Sequence, residues 1–468
     1  MEVHIAALED SIYRPVWFDD PERPDPLPPL DGKTHCQLLI VGGGFTGLWA
    51  ALQAKERAPE LDIILVEQTF VGDGASGRNG GFLSPSLTHG ENNGEYYFPG
   101  ESKRLHQLGQ QNLAEFIDTL ERYKFDAHYE KTGVTSVATN DSMVAQLRRQ
   151  YESEKAAGED VVWFDRDEMQ KQAHSPTYLA GLWRRDGLGG TVHPARLCWG
   201  LKRAILSLGV RIFEGTPVLD LTPDGDGMRT TCPGGIIHSD KVLMATNAFR
   251  SPLAPMRKLV IPVWDYQIAT EPLNAVQLAA IGWGESRHAL SNEANMFHYY
   301  RMTKDNRITW GGGGAVCYYY GSRTDQSVAD DRARFERLSR EFFETFPQLK
   351  GVKFTHRWGG IIATSTRFCM VPGTAYDGRV AWAVGYTGLG VGATRFGARV
   401  GIELLGYQPS DILDMQFVKK KPMKWFPEPL RWIGVTLTRH ALAKADANGG
   451  KRGLWLRLLD YFNMGFAC

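Results

Sequence analysis

The chain has 468 residues, which suits two domains better than one; 43% of the residues are hydrophobic and 23% are charged, the balance of a globular protein. Lys plus Arg and Asp plus Glu both number 53, so net charge favours neither nucleic acid nor an anionic membrane as a partner. The six cysteines form no CxxC pair, which predicts reduced thiols in a cytoplasmic protein and argues against a disulfide framework or a bound metal. No signal peptide and no membrane span are predicted.

The elements predicted for the first part of the chain alternate between strand and helix. In chain order they are an extended Pro-rich arm over 14–32, a strand Gln37–Val41, a helix from about Thr46 to Arg57, a strand Asp62–Glu67, and a mostly helical stretch over 100–158 with strand-like residues at Gly133–Ala138. The first strand, helix and second strand form the start of a β–α–β unit.

The second part of the chain predicts a further sheet inserted between parts of the first. Its elements are a helix Pro194–Leu208, strands Val218–Leu221 and Lys241–Ala245, an antiparallel sheet within 259–317, a helix Val328–Phe346 capped by Ser327, a strand Val380–Val384, a helix Gly392–Leu405, and a tail over 411–468 with helical pieces.

A GxGxxG run, Gly42 to Gly47, follows the first strand and opens the first helix, the context that a dinucleotide site requires. Gly42 permits the tight turn, Gly44 lets the backbone approach a pyrophosphate, and Gly47 allows close packing of helix on strand. The helix N-terminus offers N–H groups and a positive dipole end to the phosphates. Glu67 ends the second strand, where a carboxylate accepts hydrogen bonds from the adenosine ribose.

A second glycine-rich loop follows that strand, Gly74-Ala75-Ser76-Gly77-Arg78-Asn79-Gly80-Gly81. A small-residue loop at this point can run beside a pyrophosphate and a flavin ring, and Arg78 can neutralise phosphate or orient the ring edge. On local chemistry alone, a solvated turn carrying a surface arginine stays open as an alternative.

With these motifs the chain resembles the D-amino-acid oxidase and glycine oxidase superfamily of FAD enzymes, and in particular its gamma-glutamylputrescine oxidase branch. Two further segments carry the likeness, the turn Ala245-Thr246-Asn247-Ala248-Phe249 and the late glycine loop Gly385-Tyr386-Thr387-Gly388-Leu389-Gly390-Val391-Gly392. The resemblance covers about 35–410 and leaves the tail unexplained.

The resemblance implies a mixed α/β fold, in which a Rossmann-type FAD-binding domain carries an inserted antiparallel-sheet substrate domain. The expected boundaries are 30–90, 160–252 and 353–410 for the FAD-binding domain, 91–159 and 253–352 for the substrate domain, and 411–468 for the C-terminal tail. The residues expected to contact FAD come from all the motifs above and from Val218, beside the adenine. They are Gly42, Gly44, Phe45, Thr46, Gly47, Glu67, Gly74, Ala75, Ser76, Arg78, Asn79, Gly80, Gly81, Val218, Thr246, Asn247, Gly385, Gly388, Leu389, Gly390 and Val391.

Departures from relatives that attach the flavin covalently predict non-covalent FAD. Thr366 stands where one group of relatives has the attaching cysteine, and Arg78 where another has a histidine; Cys369 lies three residues beyond Thr366.

Two arginines are candidates for the chemistry. The position of the family's carboxylate-clamping arginine carries Thr303, and Arg301 shares its strand face. This departure favours an amine, or an amino acid held differently. Arg323 aligns with a lysine that helps oxygen react, and a cation there would stabilise developing superoxide; a solvated loop arginine is the equally open alternative.

The leading functional hypothesis is oxidation of a C–N bond in an amine or amino-acid derivative to an imine, by hydride transfer to flavin N5, with electrons passing to oxygen or another acceptor. Tyr266 and Trp358 are expected to wall the substrate pocket, since aromatic faces suit an ammonium group. Alternatives are a quinone- or carrier-linked D-amino-acid dehydrogenase and, more remotely, an NAD-dependent dehydrogenase or a flavin-binding protein without turnover. A membrane contact of the aromatic-rich tail is judged unlikely.

Overall fold

The computed structural model describes residues 2–185, 187–283 and 287–461, and the β–α–β start is present in it. Strand Gly32–Val41 pairs in parallel with strand Ile63–Val66, and helix Phe45–Arg57 connects them. Strand residues 63 to 66 and helix residues 45 to 55 are all buried. Burial on both faces explains why these strands are continuous apolar runs without alternation.

An eight-stranded sheet grows around these two strands. Its main path, in spatial order, is Asp220–Asp224, Gly227–Cys232, Gly235–Met244, Gly32–Val41, Ile63–Val66 and Arg211–Phe213. Strand Val380–Val384 pairs in parallel with the end of Gly235–Met244, and Val371–Ala375 pairs with Val380–Val384 in antiparallel fashion. The carboxyl ends of the parallel strands therefore meet at one edge, where ligands of open α/β sheets bind.

A ten-stranded sheet, mostly antiparallel, stands against the first. Its path is Ile12–Tyr13, Phe354–Ser365, Val260–Thr270, Ile308–Gly312, His298–Met302, Ala289–Asn292, Val134–Ala138, Ala180–Arg184 and Val161–Phe164, and Cys317–Tyr318 pairs with Val260–Thr270 off this path. Short strands Phe82–Leu83 and Gly190–Thr191 form a separate pair.

Sheet membership differs from the predicted domain boundaries at three strands. Val161–Phe164, Ala180–Arg184 and Phe354–Ser365 fall within ranges predicted for the FAD-binding domain, yet they belong to the ten-stranded sheet. A strand's own pattern specifies which of its faces is buried but not which sheet it joins. The domain division itself stays a prediction.

Helices cover both sheets, and six of those described begin at a side chain that caps the helix. Those seen are Val3–Ala6, Phe45–Arg57, Ala75–Arg78, Glu91–Tyr97, Ser102–Arg122, Asp141–Ala156, Arg166–Gln172, Pro194–Ser207, Ala275–Ile281, Gln326–Ala329, Arg332–Thr345, Gly390–Leu404, Gln416–Lys419, Leu430–Ala447 and Leu454–Tyr461. The single helix predicted from Val328 capped by Ser327 is wrong: Asp325 caps a short helix and Asp331 caps the next. Adjacent aspartates favour caps because their carboxylates accept backbone N–H groups.

The described cysteines, Cys36, Cys198, Cys232, Cys317 and Cys369, are buried free thiols, and Cys468 lies outside the described residues. Burial raises the pKa of the Cys36 thiol to about 12. Among the described residues no cluster of three potential metal ligands is found, and none of their helices has the length and apolarity that crossing a bilayer requires.

A buried ion pair ties the N-terminal arm to the first sheet. Lys202 Nζ donates to Glu214 Oε2 at 2.7 Å, and both side chains are almost fully buried. The same carboxylate accepts the backbone N–H groups of Val71, at 2.6 Å, and of Leu27. Glu214 thus joins the arm, a covering helix and the loop before the second glycine motif.

We expect Lys202→Met to lower the free energy of unfolding by about 3–5 kcal/mol, because it leaves a buried carboxylate without its cation. Urea denaturation followed by circular dichroism measures this. The matched control, Arg185→Met, breaks the exposed pair between Arg185 and Asp160 and should cost less than about 1 kcal/mol. Equal losses in the two variants would contradict the role given to Glu214.

Candidate active site

The first glycine motif adopts the geometry that its sequence predicts. Gly42 has a φ of 115°, and a Cβ there would lie 2.7 Å from the carbonyl oxygen of Ala245. A Cβ at Gly44 would lie 2.9 Å from Ser76 Oγ, and one at Gly47 would lie 2.0 Å from the Gly42 oxygen. Gly47 therefore serves helix–strand packing and does not line the cleft described below.

Glu67 projects from the end of strand Ile63–Val66 into the same place. Its Oε2 accepts the N–H of Gly43 at 2.7 Å, and its Oε1 accepts the N–H of Thr69 at 3.1 Å. Burial raises the pKa of this carboxyl above its usual range, while the two backbone donors oppose that shift. The Glu67 carboxylate is thus oriented by the Gly42–Gly47 turn on one side and by the loop that follows its own strand on the other.

The second glycine loop folds as a short helix, Ala75–Arg78, against the first turn. Ser76 Oγ accepts the N–H of Phe45 at 2.8 Å, so the two motifs contact each other directly. Arg78 pairs with Asp73 at 2.7 Å through Nη2 and donates to the Gly359 carbonyl at 3.3 Å. Asn79 Oδ1 accepts the N–H of Gly81 at 2.8 Å, which closes the loop.

The late glycine loop reaches the cleft from a third strand. Thr387 and Gly388 have φ values of 50° and 97°, and helix Gly390–Leu404 begins directly after them. The N–H of Gly385 donates to Asn247 Oδ1 at 3.3 Å, and Asn247 itself has a φ of 47°. These left-handed residues bring two turns together beside the end of strand Gly235–Met244.

One cleft of about 300 Å³ collects residues from all of these loops and from the large sheet. The predicted contact residues that line it are Gly42, Gly44, Phe45, Thr46, Glu67, Gly74, Ala75, Ser76, Arg78, Asn79, Thr246, Asn247, Gly388, Gly390 and Val391. Residues 359 to 363 of strand Phe354–Ser365 form its opposite wall. The cleft therefore lies between the two sheets.

Five further predicted contact residues stand outside this lining. Gly80 and Gly81 pack on the large sheet, where added Cβ atoms would meet Tyr299 at 2.8 Å and Arg301 Nη1 at 2.8 Å. The other three pack against buried residues: Val218 against the core of the first sheet, Leu389 against another apolar cluster, and Gly385 close to Val260. Thr216, two residues before Val218, lines the cleft in its place.

Tyr266 points away from the loop that it was expected to face. Its hydroxyl donates to the Val328 carbonyl at 2.5 Å, and its ring packs edge-on against Phe335. Successive strand residues face opposite sides, so the neighbours Asp265 and Gln267 face the glycine loop. None of Asp265, Tyr266 and Gln267 lines the cleft, so a role of Tyr266 in the substrate pocket stays a prediction. Trp264, two residues before Tyr266, lines the cleft.

Trp358 lies on the face that meets the glycine loop, but it is fully buried and does not line the cleft. Its indole Nε1 donates to the carbonyl oxygen of Arg78 at 2.8 Å, and Gln267 Nε2 donates to the same oxygen at 2.8 Å. Both side chains therefore position the loop that carries Arg78.

The two candidate arginines have opposite surroundings. Arg301 is 2% exposed, its Nη1 donates to the Val192 carbonyl at 2.7 Å, and its Nε is without a partner. Burial lowers the pKa of Arg301 to about 10. Arg323 is exposed and paired with Asp325 at 2.9 Å, while its neighbours Thr324 and Gln326 line the cleft. A role of Arg323 toward oxygen stays a prediction.

Sequence reasoning missed Tyr13, which lines the cleft from the N-terminal arm. Residues Ile12–Tyr13 pair in parallel with His356 and Arg357, at the edge of the large sheet. The predicted arm began at residue 14, and a two-residue edge strand has no periodicity that could reveal it. Ile361 and Ile362 were missed for another reason: apolar strand residues resemble ordinary core.

A buried carboxyl stands beside the glycine loop. Asp265 Oδ2 accepts from the Tyr299 hydroxyl at 2.5 Å, and Oδ1 accepts the N–H groups of Tyr266 at 2.8 Å and Gly312 at 3.2 Å. Burial raises the pKa of Asp265 to about 6, against these hydrogen bonds. The Tyr299 ring in turn contacts Phe82 edge-on at 5.7 Å, so the pair lies at the junction of loop and sheet.

Comparison with known proteins places this geometry among flavoenzymes. A family model described as FAD dependent oxidoreductase (DAO) matches residues 37–404. The chain is 30% identical over 408 residues to the probable oxidoreductase OrdL of Haemophilus influenzae, covering 84% of this chain and 88% of that one. It is 31% identical over 388 residues to gamma-glutamylputrescine oxidoreductase of Escherichia coli, covering 81% and 86%. Glycine oxidase from Geobacillus kaustophilus shares the fold, with a TM-score of 0.69 at 18% identity over 84% of this chain and 100% of that one.

The lining of the cleft has the chemistry that FAD requires. The lining includes the Glu67 carboxylate and the N-terminus of helix Phe45–Arg57. It also includes the N-terminus of helix Gly390–Leu404. Thr246 Oγ1 is buried in the lining without a hydrogen-bond partner. An unsatisfied buried hydroxyl is costly, so it marks a position where a polar ligand atom completes the site.

We expect Gly44→Ala to weaken FAD binding about tenfold or more, because the new Cβ would occupy the space beside Ser76 where backbone must approach a phosphate. Titration of the apoprotein with FAD measures this. In the control, Gly434→Ala, the Cβ meets nothing within 4 Å, and FAD affinity should not change. Wild-type affinity in Gly44→Ala would show that the cleft does not bind phosphate at this turn.

We expect Asp265→Asn to remove one component of the pH dependence of stability. Because the folded-state pKa of about 6 exceeds the value of the unfolded chain, the folded protein binds more protons between about pH 4 and pH 6. Stability from this group is therefore lost as pH rises through that window, by up to about 3 kcal/mol. Urea denaturation across this window should show a flatter profile for the variant than for the wild type. Asp118→Asn, at an exposed helix position, should leave the profile unchanged; identical profiles for wild type and Asp265→Asn would contradict the assignment.

Proposed function

Since the chain belongs to the DAO family of FAD-dependent oxidoreductases, we propose that it oxidises the C–N bond of an amine or amino-acid derivative to an imine, which water then hydrolyses to an aldehyde or keto compound. The observation that carries the proposal is the single cleft that joins the dinucleotide turn, the late glycine loop and the face of the large sheet. When bound, FAD supplies the two-electron acceptor for this oxidation.

The relatives support an amine substrate class. Two of them carry the names gamma-glutamylputrescine oxidoreductase, from Escherichia coli, and glycine oxidase, from Geobacillus kaustophilus. Both names refer to small molecules that contain nitrogen. We therefore extend the amine class to this chain, and leave the particular amine to the experiment below.

The chain's own residues would hold the cofactor in three places. The backbone of Gly42 to Thr46 would receive the pyrophosphate, and Glu67 would accept hydrogen bonds from the ribose. The first residues of helix Gly390–Leu404, Gly390 and Val391, line the cleft. A helix N-terminus stabilises negative charge, so this end suits the ring as it becomes reduced.

Attachment of FAD is proposed to be non-covalent. Arg78 lines the cleft, but its guanidinium is already bonded to Asp73, and an arginine is not a nucleophile. Thr366 Oγ1 donates to the Met423 carbonyl at 2.7 Å, so it is held by the tail. Cys369 is fully buried, and burial raises the pKa of its thiol to about 11, which disfavours the reactive thiolate.

Arg301 suggests that the amine carries an acidic group. Its guanidinium is buried, and no described carboxylate lies within ion-pairing distance of it. Gly81 packs closely against Nη1, since an added Cβ there would lie 2.8 Å from Nη1 and 2.1 Å from the Val192 carbonyl oxygen. A buried guanidinium is costly unless it is paired, so a substrate carboxylate would be a suitable partner.

The test is anaerobic bleaching of the flavin absorbance by gamma-glutamylputrescine, glycine and putrescine. We expect gamma-glutamylputrescine or glycine, which carry a carboxylate, to bleach faster than putrescine, which has none. Repeating the reaction in air distinguishes an oxidase from a dehydrogenase. If dithionite reduces the flavin and no amine does, amine oxidation by this protein is contradicted.

Arg301→Met refines the same experiment. It should raise KM for carboxylate-bearing amines about ten- to hundredfold and leave KM for putrescine unchanged, because only the former lose a charge-assisted hydrogen bond. Arg287→Met is the control, since Arg287 is already paired with Glu130. An equal rise in KM for both classes of amine would exclude Arg301 as the carboxylate partner.

A further inference from the structure

The C-terminal tail concentrates positive charge. Between residues 419 and 461 ten Lys or Arg residues stand against three acidic residues, although the whole chain has equal numbers of each sign. The acidic side chains there are occupied: Glu428 pairs with Arg431 and Asp460 pairs with Arg452. Asp446 accepts the backbone and side-chain N–H groups of Asn295.

The tail also presents an apolar surface outward. On helix Leu430–Ala447 three exposed large apolar residues recur at helical spacing, which places them on one face, while Trp432 lies off that face against Tyr320. This outward stripe consists of Leu430, 60% exposed, Ile433, 43%, and Leu437, 47%, with Phe426, 48%, just before the helix. The next helix repeats the pattern with Leu454, 86%, Leu458, 47%, and Tyr461, 81%.

Unpaired cations continue the outward stripe. Lys444 follows Leu437 by seven residues and so shares its face. Arg457 lies between Leu454 and Leu458 on the second helix, and both cations are exposed. Neither has a described acidic side chain within ion-pairing distance. The lysines at 421, 424 and 451 of the tail are exposed as well.

The tail is held firmly beside the cleft. Glu428 accepts from the Tyr318 hydroxyl at 2.5 Å and from the Gly321 N–H at 3.2 Å. Trp425 Nε1 donates to the Thr364 carbonyl at 3.0 Å, next to the cleft-lining residue Ala363. The stripe therefore belongs to a fixed surface of the folded enzyme and not to a loose end.

We propose that the outward stripe and its cations bind the surface of an anionic lipid bilayer. Apolar side chains ringed by Lys and Arg suit the interface, where the former enter the headgroup region and the latter meet anionic lipid. A second copy of the chain is a poorer occupant, because a two-fold contact would place the same cations face to face. The inference does not depend on the proposed substrate.

The tail was expected to make no membrane contact, because no segment of it reads as basic and amphipathic in the linear sequence. Its positive charge is nevertheless concentrated in one segment, and the balancing acidic residues lie elsewhere in the chain. Helical spacing then aligns apolar and basic residues on a common face, which only becomes visible once the helix bounds are known.

The test is flotation of the FAD-loaded protein with phosphatidylcholine vesicles, with and without phosphatidylglycerol. We expect binding only when phosphatidylglycerol is present, and release at high salt. Ile433→Ser together with Leu437→Ser should weaken vesicle binding about a hundredfold, because two apolar side chains no longer enter the interface. Lys444→Glu together with Arg457→Glu should weaken it at least about tenfold.

Val276→Ser is the matched control, since Val276 is 79% exposed on helix Ala275–Ile281 outside the tail, and its binding should equal that of the wild type. Unchanged flavin absorbance and melting temperature show that each variant folds. Absence of flotation with anionic vesicles would overturn the proposal, as would wild-type flotation of the Ser double variant. Light scattering that shows a dimer dissolved by the same double variant would also overturn it, in favour of a contact between copies.

Discussion

The cleft depends on one backbone contact, between the turn at Gly42 and the carbonyl of Ala245. Val41 and Met244 are register partners on neighbouring parallel strands, so the turns that follow them start side by side. Any Cβ at Gly42 would collide with the Ala245 oxygen at 2.7 Å, and the φ of 115° is one that glycine alone adopts without strain. Because the two turns are close-packed, Thr246 and Asn247 line the same cleft as Gly42 and Gly44, and Asn247 in turn accepts the N–H of Gly385. Three strand ends are thereby fixed around one space.

The loop 74–81 transmits this arrangement to the large sheet. On one side Ser76 receives the N–H of Phe45, and on the other the Arg78 carbonyl accepts two side-chain donors from the sheet. Gly80 and Gly81 permit the close approach. The loop 74–81 thus connects the Gly42–Gly47 turn to the large sheet and fixes the separation between them. A change in the loop would be felt by the cofactor site and the substrate side together.

Much of the fold and of the cofactor site could be predicted from the sequence, because both rest on local rules. Strand Val380–Val384 was predicted with its observed bounds, and the first helix begins at Phe45, within one residue of the prediction. Glycines at fixed spacing predict a turn whatever the rest of the chain does. The placement of one strand face against a particular loop depends on non-local contacts and could not be predicted. Tyr266 was expected near the pocket, but alternation among Trp264, Asp265 and Tyr266 does not say which side meets the loop, and a slip of one residue reverses the two faces of a strand.

The two faces of strand Val260–Thr270 make different kinds of contact. Trp264, Tyr266 and Ile268 fill an aromatic core on one side. On the other lie Asp265 and Gln267, with Gln267 Oε1 buried and unsatisfied. Apolar side chains of similar volume would stabilise such an interface better than a buried carboxyl and an unpaired amide oxygen. The polar face instead joins the sheet to the loop and to the neighbouring strands. Gln267 Nε2 donates to the Arg78 carbonyl, and Asp265 accepts from the Tyr299 hydroxyl and from the Tyr266 and Gly312 N–H groups. These hydrogen bonds offset the cost of burying the two polar side chains and fix the glycine loop against the sheet.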